Sequence, residues 1–143
     1  PRRPRAEHLA RHACADLFLD TFYCNAHTTA ADALWAGLPV LTCPGETMAA
    51  RMGASIVRAA GLPELVCADR ASYEAEALRL ATRPGELAAL RERLACTRKT
   101  SPMFDTAGRT RALDRAFETM WQRHLAGLPP ERFSVPPQAA RGA

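Results

Sequence analysis

Three short apolar runs, each followed by a segment of helical periodicity, set the fold class of this chain. They are Ala15-Asp16-Leu17-Phe18-Leu19-Asp20, Leu38-Pro39-Val40-Leu41-Thr42-Cys43 and Leu65-Val66-Cys67-Ala68. Runs this short, bounded by acids, prolines and glycines, read as buried strands. Between them, Thr28 to Ala36 and Glu46 to Ala60 carry helical spacing and stop at Gly37 and Gly61, the residue type that most readily closes a helix. On the second helix Met48, Met52, Ile56 and Ala59 share one face. Strands alternating with helices over short connections imply a parallel sheet covered by helices. The predicted class is α/β, a partial Rossmann-like parallel sheet with flanking helices. A complete doubly wound sheet has about five or six strands, so these three look like its second half, with an uncovered edge.

The remaining segments predict helices alone. Glu7 to Ala13 forms a short one, Thr21 to His27 a polar loop, and Ser72 to Thr82 and Glu86 to Arg98 a pair broken at Pro84-Gly85. Leu87, Leu90 and Leu94 lie on one face of the latter. Ser101 to Asp105 is a break, and Asp105 or Thr106 can cap a last helix running to about His124. Its stripe of Leu113, Phe117, Met120, Trp121 and His124 reads as core or as a face turned to another domain. From Leu128 the chain carries four of its eleven prolines. The organisation is therefore one incomplete domain over 1–127 and a proline-rich tail over 128–143.

Composition excludes several function classes. The 143 residues suit one domain. The longest apolar runs fall far short of the roughly 20 residues that a membrane-spanning helix needs. No apolar signal segment follows the basic N-terminus, and no initiating Met is present, so the chain reads as an excised piece of a longer one. Nineteen Lys and Arg against fifteen Asp and Glu give a net charge of +4, spread along helices. A nucleic-acid binder concentrates such charge with aromatics among it, and no such stripe exists, whereas an anionic small ligand is compatible. Cys14, Cys24, Cys43, Cys67 and Cys96 are odd in number and widely spaced, which predicts reduced thiols and a cytoplasmic setting.

The chemistry-bearing segment is Thr21-Phe22-Tyr23-Cys24-Asn25-Ala26-His27-Thr28-Thr29. Ligands of open parallel sheets bind beyond the carboxyl ends of the strands. This segment leaves such an end and enters a helix at Thr28. Free backbone N–H groups and the positive end of the helix dipole favour an anion there, and the two threonine hydroxyls and His27 add donors. Asp32 follows Thr28 by four residues, on the same helix face. A carboxylate one turn inward suits a hydroxyl pair such as a ribose diol. Phosphate donors followed by a diol acceptor describe a nucleoside diphosphate site. The alternative is a structural one, in which the threonines only cap the helix and Asp32 complements its dipole.

Other constellations carry less. Pro44-Gly45-Glu46-Thr47 lies on the same sheet edge and can line the site, although Glu46 and Thr47 are also ordinary first-turn helix residues. The spacings of His8 with His12 and of Cys24 with His27 can hold zinc, but no H-E-x-x-H motif and no second cysteine pair accompany them, and no metal is expected. Arg91, Arg93, Arg98 and Lys99 read as a solvated face.

The run Cys24-Asn25-Ala26-His27-Thr28-Thr29 followed by Asp32-Ala33-Leu34-Trp35-Ala36-Gly37 resembles the protein O-GlcNAc transferase family, with its SPINDLY-like relatives. Glu7-His8, Pro44-Gly45-Glu46-Thr47, Ser101-Pro102-Met103-Phe104-Asp105-Thr106 and Met120-Trp121 continue the resemblance over about Arg5 to Phe133. It implies the end of the C-terminal, donor-binding lobe of a GT-B glycosyltransferase. The family's enzymes are inverting and metal-independent, and move N-acetylglucosamine from UDP-GlcNAc to Ser or Thr of acceptor proteins. A first lobe and a tetratricopeptide (TPR) array would precede this segment.

By the same resemblance, His8 packs on the uracil and Arg11 lies near the base. Thr28 and Thr29 bind the pyrophosphate, His27 stands beside the sugar and phosphates, and Asp32 binds the ribose. Arg5 stands where a lysine near the ribose is expected, and Ala26 replaces a glycine. The phosphate-contacting lysine and the proton acceptors would lie upstream of this chain, which by itself is expected to be inactive. No cofactor is implied, and neither nucleic acid nor membrane is an expected partner. Two other readings stand beside this one: an O-fucosyltransferase using GDP-fucose, and a non-catalytic remnant acting as a protein-interaction module.

Overall fold

The structure, a computed structural model, describes residues 3–136. It divides into two compact units at the Phe104–Asp105 link.

The first unit opens with α1 (Arg5–Ala10), continued by a 3-10 turn over Arg11–Cys14. Strand β1 (Phe18–Leu19) leads through the loop to α2 (Thr28–Trp35), and β2 (Val40–Leu41) follows. The strands pair in parallel, Phe18 with Val40 and Leu19 with Leu41. Helix α3 (Met52–Ala59), a 3-10 turn over Pro63–Leu65, α4 (Arg70–Thr82) and α5 (Pro84–Thr97) complete this unit. The parallel α/β architecture is thus as expected.

The sheet is slighter than the apolar runs predict. The third run makes one parallel bridge, Thr42 to Val66, through Thr42 N–H to Leu65 O at 3.0 Å and Cys67 N–H to Thr42 O at 2.9 Å. The turn at Pro63 delays its extended course, so only Val66 and its neighbours reach the sheet. Cohesion comes instead from side chains. Ala30, Ala33 and Leu34 of α2, Val57 of α3, Leu80 of α4 and Leu94 of α5 bury against Val40 and Leu41 in one cluster. The i, i+3, i+4 spacing on α2 turns Thr28, Thr29 and Asp32 away from that face. Gly37 and Gly61 follow α2 and α3 with φ of 87° and 86°, where a side chain would be strained.

Helix α3 begins six residues later than expected, at Met52 rather than Glu46. Residues 46–51 are occupied otherwise. Gly45 N–H bonds Ala50 O at 2.7 Å, and Ala49 O accepts Asn25 N–H at 2.9 Å. In a continuous helix Ala49 O would receive Gly53 N–H. That N–H instead meets Asn25 Oδ1 at 3.2 Å. A side chain from 28 residues upstream therefore takes the place of the missing turn.

Of the predicted solvated face, Arg93 and Lys99 are exposed as expected, whereas Arg91 and Arg98 are half-buried. Arg91 reaches Ala15 O at 3.2 Å, Arg93 pairs with Glu64, and Arg98 donates to Trp35 O at 2.9 Å.

The second unit is α6 (Thr106–Leu125), capped by Asp105 through Gly108 N–H at 2.8 Å. The predicted stripe of Leu113, Phe117, Met120 and Trp121 is exposed. The described part of the tail has no helix or strand and is tied to α6 by Arg123, which donates to Glu131 and to Pro129 O. The rest of the tail, 137–143, lies outside the described residues.

Gly53 is the tightest point of the packing. A β-carbon there would collide with Asp20 Oδ2 and stand 2.7 Å from Thr42 Oγ1. Gly53→Ala should cost about 1–3 kcal/mol of stability, whereas Gly85, which has open space around it in the first turn of α5, should tolerate alanine with a gain of about 0.4–1 kcal/mol. Urea unfolding midpoints of the two variants check this pair of expectations.

Candidate functional site

The candidate site lies where β1 and β2 end. His27, at the entry to α2, takes φ −103° and ψ −87°, and no side chain caps the helix. His27, Thr28 and Thr29 are all exposed there. Both α4 and α6, by contrast, begin with an aspartate that accepts a backbone N–H, Asp69 from Ser72 and Asp105 from Gly108. The α2 entry, like those of α3 and α5, has no capping side chain.

Asp32 lies one turn further along α2, partly covered. His8 of α1 brings Nε2 to 3.6 Å from one carboxyl oxygen, and Arg5 approaches the other at 3.9 Å. The structure therefore brings both His8 and Arg5 to Asp32. His8 also meets His12 edge-on with ring centroids 5.1 Å apart, while His12 Nδ1 lies 3.0 Å from His8 O. Arg11 is exposed on the 3-10 turn that follows α1. His27 Nε2 lies 3.4 Å from Ala49 O.

Pro44-Gly45-Glu46-Thr47 lines a separate cavity of about 270 Å³ with Phe22, Tyr23 and Arg70. The Arg70 guanidinium lies over the Phe22 and Tyr23 rings, 4.8 and 5.3 Å from their centroids. Its hydrogen bond and charge lower the Tyr23 pKa from the ordinary tyrosine value.

Beneath the loop is a polar cluster that sequence reasoning missed. Asp20, Asn25 and Thr42 are buried at 4%, 3% and 0% exposure, depths uncommon for such residues. Asp20 Oδ1 accepts Thr21 N–H at 2.8 Å and Ala26 N–H at 2.7 Å, and Oδ2 accepts the Thr42 hydroxyl at 2.7 Å. Tyr73 donates its hydroxyl to Asp20 O at 3.0 Å. Asn25 donates to Thr21 O at 2.6 Å while accepting Gly53 N–H. The one available signal was an aspartate ending a strand at the ligand edge of the sheet. Burial, followed by the negative charge of Asp20, pushes the Tyr73 pKa up to about 12.

Residues 1–113 match the family model of glycosyl transferase family 41. The chain belongs to this family. It is 40% identical over 132 residues to an Arabidopsis thaliana protein named probable UDP-N-acetylglucosamine–peptide N-acetylglucosaminyltransferase SEC, covering 92% of this chain and 14% of that protein. It is 38% identical over 125 residues to a Caenorhabditis elegans UDP-N-acetylglucosamine–peptide N-acetylglucosaminyltransferase, covering 87% and 11%. A solved mutant O-GlcNAc transferase of Thermobaculum terrenum superposes with a TM-score of 0.81 at 38% identity, covering 87% of this chain and 24% of that one. This family 41 chain therefore spans about a quarter or less of the length of the relatives it matches. The match bears out the family resemblance and the fold, a parallel α/β segment of a GT-B glycosyltransferase.

The two tyrosines of the chain should titrate in separate steps, Tyr23 below the ordinary value near 10 and Tyr73 at about 12. Ultraviolet titration reads both, and Arg70→Gln should move only the first step upward. The raised Tyr73 value means that the folded state favours the neutral phenol. Its contribution to stability is complete below pH 10 and is lost as pH rises toward 12. Tyr73→Phe should flatten the fall in stability across that window.

Proposed function

We propose that this chain is the nucleotide-sugar-binding end of a protein O-GlcNAc transferase, which moves N-acetylglucosamine from UDP-GlcNAc to Ser or Thr of acceptor proteins. The open, exposed N-terminus of α2, with Asp32 one turn behind it, carries this reading. The activities for which the relatives are named support it.

The hydroxyl oxygen of the acceptor attacks the anomeric carbon of the sugar, and UDP departs from the opposite face. Charge grows on the leaving diphosphate as that bond breaks. The first-turn amides of α2, the Thr28 and Thr29 hydroxyls and the His27 ring donate toward that charge and stabilise the transition state. They occupy the role that a divalent cation fills in metal-dependent transferases. Asp32 accepts the ribose hydroxyls, and His8 and Arg11 lie on the side of the base.

The upstream part of the donor lobe supplies a further cation, the proton acceptor too lies upstream, and without these and the first lobe the segment does not turn over. A preceding TPR array presents the acceptor. Among the described residues no helix is long and apolar enough to cross a membrane. The five free, widely spaced cysteines are the ground on which we place the reaction in the cytoplasm.

In the full-length protein, Thr28→Ala and Asp32→Ala should each weaken UDP binding by about 1–2 kcal/mol, or roughly 5- to 30-fold. Isothermal titration with UDP and with GDP checks this. Unchanged UDP affinity in both variants removes the site. A preference for GDP moves the reading to fucose transfer, and wild-type protein that binds neither nucleotide is an interaction module.

A further inference from the structure

The loop over residues 21–27 presents His27 and the first turn of α2, yet it contains no helix or strand. Its geometry is set by two hydrogen bonds inside the loop, Thr21 Oγ1 to Cys24 O at 2.5 Å and Asn25 to Thr21 O at 2.6 Å, and by ties to the surrounding elements. We infer that Asp20 is the positioning residue of the phosphate cradle, its carboxyl group fixing where His27, Thr28 and Thr29 stand by clamping both ends of that loop. This rests on the nucleotide-site reading above and adds to it the residue that shapes the site without touching the ligand.

The clamp is visible in where the hydrogen bonds go. Oδ1 of Asp20 accepts the N–H of Thr21, the first residue of the loop, and the N–H of Ala26, the residue before His27. One oxygen atom therefore holds the loop closed. Oδ2 is tied to the Thr42 hydroxyl at the end of β2, which anchors the closed loop to the sheet. The Asp20 backbone carbonyl is held from the other side by Tyr73 of α4.

Asn25 adds a second tie across the same loop, from Thr21 O to Gly53 N–H at the start of α3. The missing β-carbon of Gly53 leaves the room in which Asp20, Thr42 and Asn25 converge. Asp20 is 4% exposed, and its carboxyl oxygens are engaged inward. It acts on a ligand only through the backbone that it holds. Ala26 N–H is the critical contact, because a shift there passes directly to the peptide that sets His27 and the α2 amides.

A purely structural role makes a different forecast, since any cut in the cluster would then lower affinity only as far as it lowers stability. Three variants separate the two. Asp20→Ala removes the clamp. Asp20→Asn keeps an acceptor oxygen for both amides and can turn its NH2 toward Thr42 Oγ1. Thr42→Val cuts the anchor while leaving the loop closed.

The experiment measures UDP affinity by isothermal titration, melting temperature, and hydrogen exchange of the peptide spanning 21–31, all in the full-length protein. Asp20→Ala should lose about tenfold or more in UDP affinity, as expected for displaced binding groups, with faster exchange over 21–31. Asp20→Asn should stay within about threefold of wild type, the loss of one hydrogen bond or less. Thr42→Val should melt lower, yet also keep its affinity within about threefold.

Asp20→Ala with wild-type affinity overturns the inference. So does Thr42→Val losing as much affinity as Asp20→Ala at an equal loss of melting temperature. If Asp20→Ala does not fold, Asp20→Ser keeps a polar group in the site without reach to Ala26 and is held to the same expectations. Wild-type protein that binds no UDP fails the nucleotide reading alone. The clamp is then decided by exchange, and unchanged protection of 21–31 in Asp20→Ala or Asp20→Ser overturns it.

Discussion

A buried carboxyl group at the end of a two-residue strand holds the ligand edge of this sheet together. Polar groups removed from water must find partners or cost stability. Asp20 meets that demand with two loop amides and a hydroxyl of the neighbouring strand, while Tyr73 satisfies its carbonyl. With only Phe18–Leu19 and Val40–Leu41 paired as strands, the backbone ladder contributes few bonds. The side-chain cluster completes what the ladder leaves undone, joining β1, β2, α3 and α4 at one point. Its satisfaction explains the packing around it, from the absent side chain at Gly53 to the burial of Asn25.

What could be read from the sequence was what local chemistry encodes. Thr28 opening α2 and Gly37 following it, and Asp105 at the entry to α6, each act within a turn of the element they delimit. The grouping of Thr28, Thr29 and Asp32 at one end of α2 follows from the helical period alone. The nearness of His8 to Asp32 does not, since α1 and α2 meet across the β1 connection.

The third strand is cut short locally, by the turn at Pro63, but the other departures share one cause, partners distant in the chain. Met52 rather than Glu46 starts α3 because Asn25 intercepts the Gly53 amide. Arg91 and Arg98 look like solvated charges until Ala15 O and Trp35 O are placed beside them. Asp20 sits in an unremarkable apolar run, and nothing nearby in sequence announces that Thr42 and Tyr73 will close over it.

The polarity of α2 ties these observations to chemistry. Its C-terminal end is complemented by a cation, because Arg98 donates to Trp35 O at 2.9 Å and lies 5.8 Å from the Trp35 ring centroid. Its N-terminal end is left without the carboxylate that α4 and α6 use. A positive charge near the last carbonyls favours the dipole at that end, and an aspartate at the first turn would do the same at the other. At α2 it would also place a negative charge where the proposed phosphate binds. The fold supplies order to this helix entry from beneath, through Asp20 and Ala26, and so leaves the amides facing outward free. A phosphate site gains from that arrangement because its donors are fixed before the ligand arrives and need no rearrangement as charge develops.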